Sequence, residues 1–165
     1  MGFALLVLGR ASLAEGEYSE AHHLLQESVD LLCDSKNWDF AYWALPSLAH
    51  VELMLGEMGK SKQHLQQMLR PALHQGHGFA LMSAIPVIAL LELEKGHVER
   101  AIELYALASR YGHVANSRWW QDVAGKQIAA VASTLPPDVV AAVQERGRAR
   151  NLEEMVAELL AAMAS

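Results

Sequence analysis

Eight histidines in a chain of 165 residues invite a metal reading, and their spacing argues against one. His74 and His77 form an H-x-x-H pair, but across Gln75-Gly76 in a loop, with no cysteine or acidic residue beside them. His22 and His23 are adjacent, so on a helix they point to different sides. A zinc-binding helix sets its histidines at i and i+4 with a carboxylate. The sequence therefore predicts no metal site and no cofactor. The run Gly56-Glu57-Met58-Gly59-Lys60-Ser61 ends as a phosphate-binding loop ends. Such a loop needs four residues between its glycines and a preceding strand, whereas two residues separate Gly56 from Gly59 and helical pattern flanks them. It reads as an inter-helix turn. Cys33 has no paired basic residue and reads as packing. With no nucleophile and no acid–base set, no catalytic residue is nominated and the chain is expected not to be an enzyme.

What would position any site is a ladder of equivalent residues. Gly16, Gly56 and Gly96 are 40 residues apart, and the columns around them keep size and polarity. Leu13, Leu53 and Leu93 precede the glycines, and Ala21, Ser61 and Ala101 follow them. Leu25, Leu65 and Tyr105 form another column. Leu8, Leu48 and Ile88 stand beside the small residues Gly9, Ala49 and Ala89. Large aliphatics next to small residues mark close helix crossings. Each glycine marks a helix end, where positive φ closes the helix. The expected object is one domain of stacked helical hairpins, with rows at about 1–35, 36–76, 77–113 and 114–149 and a capping helix at 151–163. Pro136-Pro137-Asp138 stops one helix and starts the next, and Asn151 caps the last. Pro46 and Pro86 share a column: either both kink their helices, or both helices start later than drawn.

The segments Leu5 to Gly9, Gly16-Glu17-Tyr18-Ser19-Glu20-Ala21 and Leu93 to Ala101 resemble tetratricopeptide repeats. The middle row departs, with Met58 for the aromatic and Ser61 for the alanine. That family's period is about 34. The longer period here resembles the repeats of bacterial signal-transducing ATPases and transcriptional regulators of the maltose-activator type. Residues 149–156 are similar to the extreme C-terminus of such regulators. The resemblance implies an all-α, right-handed superhelix of about four antiparallel hairpins. It also implies that the first helix of each row lines a concave groove. Trp43, Ser47, His50 and Met54 would then face the groove from row two, Val87, Leu90 and Glu94 from row three, and Lys126 and Gln127 from row four.

Function follows as an expectation. Stacked helical repeats present surfaces and rarely perform chemistry. The leading expectation is a non-catalytic scaffold that binds a protein or peptide, within a bacterial regulatory or signalling protein. The alternatives are a small-molecule effector sensor and a structural self-association module. The first row is incomplete, and Phe3, Leu5 and Leu6 offer no polar outer face, so two explanations are open: the C-terminal piece of a longer array, or a homodimer in which a second copy covers that end. A net charge of −6 argues against nucleic acid, and Arg146, Arg148 and Arg150 solvate a helix end. No uninterrupted apolar run reaches the length of a membrane span, so no membrane partner is expected. A single cysteine fits a reducing cytoplasm.

Overall fold

Every twenty residues the backbone turns left-handed. Gly16, Lys36, Gly56, Gly76 and Gly96 have φ of 83°, 55°, 79°, 64° and 82°. Each turn closes a helix by the same pair of hydrogen bonds. At the third, Gly56 N–H donates to Leu53 O and Glu57 N–H to Glu52 O, at 3.0 and 2.8 Å. The pattern satisfies carbonyls that a helix end leaves without partners. Lys36 makes these bonds without being glycine, to Cys33 O, while Asn37 N–H donates to Leu32 O.

The computed structural model describes residues 1–164, which contain helices and no β-strand. The helices are α1 (Gly2–Glu15), α2 (Tyr18–Asp34), α3 (Trp38–Met54), α4 (Met58–His74), α5 (Gly78–Glu94), α6 (Val98–Ala108), α7 (Gly112–Ala115), α8 (Arg118–Trp120), α9 (Lys126–Ala132), α10 (Pro137–Ala149) and α11 (Leu152–Ala164). A π-helical turn, Gln121–Gly125, joins α8 to α9 in one rod. The chain is thus an all-α domain. Pro46 and Pro86 both lie well inside α3 and α5, so neither helix starts at its proline. α6 ends at Ala108, and just beyond it Ser109 Oγ donates back to Tyr105 O at 2.8 Å.

Burial repeats with the ladder. Ala21, Leu25, Ser28, Val29 and Leu32 are the buried residues of α2, and 40 positions on Ser61, Leu65, Met68, Leu69 and Ala72 are those of α4. These helices bury one face, whereas α5 is buried on nearly every side from Ala80 to Leu91, apart from Met82. It packs against α3, α4, α6 and α11 and is the centre of the core. In sequence order, α1 packs on α2, α2 on α3, α3 on α4 and α5 on α6. α10 lies along α6, and their backbones nearly touch: a Cβ on Gly147 would overlap the Glu103 carbonyl. α11 returns to α4 and α5, burying Met155, Val156 and Leu159.

Candidate functional site

The residues expected to line a groove separate into three groups. Ser47, His50, Val87 and Leu90 are buried in the interior. Trp43, Met54 and Gln127 are half-buried. Glu94 and Lys126 are exposed, and Lys126 is paired with Asp122. The rod 118–132 folds back until Trp119 Nε1 donates to Arg10 O at 3.1 Å, while the Arg10 guanidinium lies 3.7 Å from the Trp119 ring centre. Aromatic rings fill the space behind it: Trp43 on Phe79 at 5.3 Å, Phe79 on His113 at 4.8 Å, and His50 on Trp119 at 6.3 Å. His50, Met54 and Gln127 do converge, on a cavity of about 180 Å³ that Tyr18 and Asp122 also line.

Charge is unusual in this interior. His50 Nδ1 is buried without a hydrogen-bond partner. Burial, and then the charge of Arg10, hold its imidazole down to about 4. The same two causes lower His113. Burial alone pulls Arg10 down to about 10.

At the expected self-association face, Leu5 is half-buried and Leu6 is fully buried against the core. Leu6 is therefore not available to a second copy. Helical periodicity turns Phe3, Val7 and Leu8 outward instead, at 44%, 51% and 55% exposure.

A second constellation forms where α2 meets the turn between α3 and α4. The Gly56 closure joins Glu57 N–H to Glu52 O, so the side chains five residues apart are brought together. At such closures this pair is commonly apolar; here both are carboxylates. The side chain of Glu52 is 1% exposed, in the last turn of α3, where the helix dipole disfavours a negative charge. His64 Nδ1 lies 2.8 Å from Glu52 Oε2, and towards an ionised carboxylate the imidazole is the donor. Glu52 Oε1 is different: it is buried, has no hydrogen-bond partner, and lies 3.8 Å from His22 Nε2, which has none either. Ligand atoms of His22, Glu52 and Glu57 all lie within 4.8 Å of one another. The Lys60 ammonium, 2.9 Å from Glu57 Oε2, holds that carboxyl below the usual carboxylate range. The other histidine pair does not form a site: His74 is exposed, and His77 Nδ1 accepts from Ala80 N–H at the start of α5. In the Gly56 to Ser61 run only Gly56 and Glu57 form the inter-helix turn; Met58 to Ser61 is the first turn of α4, with Ser61 buried.

Neither the family models nor the curated proteins nor the solved structures compared with the chain give a match. The His22–Glu52–Glu57 constellation is missed by searching for i, i+4 histidines, because its ligands come from α2, α3 and a turn. Part of it was visible: two carboxylates flank a closing glycine at the positions such a closure brings together.

Proposed function

We propose that the chain is a non-catalytic effector-sensing module, and that its effector is a transition-metal dication held by His22, Glu52 and Glu57. One observation carries the reading: His22 Nε2 and Glu52 Oε1 face each other, both buried and both without a hydrogen-bond partner. Ligand atoms about 2.0–2.2 Å from a tetrahedral ion stand roughly 3.4 Å apart. The observed 3.8 Å needs only a small closure. One imidazole and two carboxylates suit a zinc-like ion and leave a coordination position open. His64 on the far oxygen would orient Glu52 as an outer partner.

The mechanism of sensing is a clamp. An ion would tie α2 to the α3–α4 turn, and the free energy of binding would become stability of that packing. A right-handed superhelix of tetratricopeptide-like hairpins, in a bacterial regulator, belongs to the same proposal. The 40-residue ladder and the repeated left-handed closures support it, and nearest-neighbour packing would carry a local clamp to adjacent hairpins. The test is thermal unfolding at pH 7.5 with Zn²⁺ or a chelator. At a hundredfold excess over Kd, Zn²⁺ is expected to raise Tm by roughly 5–10 °C. Glu57→Gln should remove most of that rise. An unchanged Tm in the wild type defeats the proposal.

A second reading is favoured by the exposed Phe3, Val7 and Leu8 on one side of α1. This is a partner-binding or self-association edge. Sedimentation of the wild type and of Val7→Glu separates the two: identical monomers at micromolar concentration remove self-association.

A further inference from the structure

We infer that the cleft between α1, α3 and the rod 118–132 holds a second, independent site, for a small organic anion: a monocarboxylate with an apolar body, its carboxylate on Arg10 and its body against Trp43 and Trp119. The cavity there measures about 350 Å³ and is lined by Phe3, Leu6, Val7, Arg10, Ala11, Trp43 and Trp119. Arg10 is its one charged residue. Among the described residues no carboxylate lies within 4.0 Å of the guanidinium, and its one close partner is the Trp119 ring. That ring takes up one face of the guanidinium and compensates part of the charge. It offers nothing to the N–H groups along the edge, which form a planar fork matched to a carboxylate.

The surroundings choose the ligand class. A half-buried cation without an anion is costly unless one is supplied. His50 and His113, which feel the charge of Arg10, are both held towards their neutral forms, so the guanidinium is the positive charge on offer to an anion there. The other wall residues are apolar or aromatic. They would desolvate an alkyl or aryl chain and discriminate against inorganic phosphate or acetate, which have no body to bury. The cavity size falls near the lower end of small-molecule pockets, about 300–1,000 Å³. A free carboxylate on a medium-length alkyl chain fits this chemistry, while a long-chain or two-chain amphiphile does not. Arg10 also serves to staple α1 to the rod 118–132, and a purely structural role is the alternative that the experiment must exclude.

The probe is octanoate, measured by titration calorimetry against the intact chain, with octanol as the uncharged isostere. Octanoate should bind saturably at one site, and octanol roughly tenfold or more weakly. Arg10→Gln should weaken octanoate by a similar factor without improving octanol. Ala11→Trp, a change at an exposed position on the cavity wall, should abolish octanoate binding while leaving the circular dichroism spectrum intact, which covers the case in which Arg10→Gln does not fold. Glu57→Gln should leave octanoate binding unchanged, so failure of the cation reading is seen separately. Absence of saturable heat with octanoate, equal affinity for octanol, or undiminished binding by Ala11→Trp each overturns the assignment.

Discussion

His50 should make the fold acid-sensitive by an amount that can be worked out. Its ring is fully buried, and burial first, then Arg10, hold it at about 4 against 6.5 in the free side chain. Between those values the unfolded chain binds a proton that the native chain refuses. Stability therefore rises with pH through this window, is complete above 6.5, and is lost as pH falls from 6.5 towards 4. The gap amounts to roughly 3 kcal/mol at its lower end. His50→Leu removes the titration and also removes a buried nitrogen that has no hydrogen-bond partner. Urea unfolding of both proteins, followed by far-ultraviolet circular dichroism from pH 7.5 to 4.5, gives the difference at each pH, in which the common carboxylates cancel. That difference should shift by roughly 2–3 kcal/mol in favour of the variant as the pH falls. Parallel curves would refute the reasoning, because they would mean that the ring is protonated at no cost inside the folded protein.

Three further changes probe the packing. Gly147→Ala should cost more than about 2 kcal/mol, measured by urea unfolding. Helix propensity alone would favour alanine by about 1 kcal/mol, but the new methyl would overlap the Glu103 carbonyl and push α10 from α6. Lys36→Gly should stabilise by about 1 kcal/mol, since Lys36 has φ 55° where the other four closures use glycine; a rise of a few degrees in Tm checks it. Ser28→Ala should cost about 1 kcal/mol in the same assay, because the buried Ser28 Oγ donates to Gly2 O at 2.8 Å and ties α2 to α1.

Most helix ends were legible because the closures obey a local rule. Leu13-x-x-Gly16, Leu53-x-x-Gly56 and Leu93-x-x-Gly96 mark positions where only a left-handed residue can follow. The halving of the period to twenty was not legible at Lys36, since nothing in a lysine announces positive φ. The end of α6 and the π-helical turn are not legible along the chain for a different reason. They are set by tertiary approach, as where Tyr105 packs against Gly125, and a Cβ on that glycine would come within 2.6 Å of the hydroxyl. The groove reading named Trp43, His50 and Gln127 but could not foresee what fills the space around them. Trp119 meets Arg10 across 109 residues, and no pattern along the chain encodes that contact. The same holds for His22, which lies 30 positions before Glu52 and meets it only because α2 packs on α3.

The cation site can be tested by anomalous diffraction at the zinc edge on crystals soaked at near-neutral pH. A single dominant peak is expected about 2.0–2.2 Å from His22 Nε2 and from one carboxylate oxygen each of Glu52 and Glu57. Zinc found only on exposed side chains such as His74 or His97, with Glu52 Oε1 and His22 Nε2 still facing each other unbridged, would contradict it.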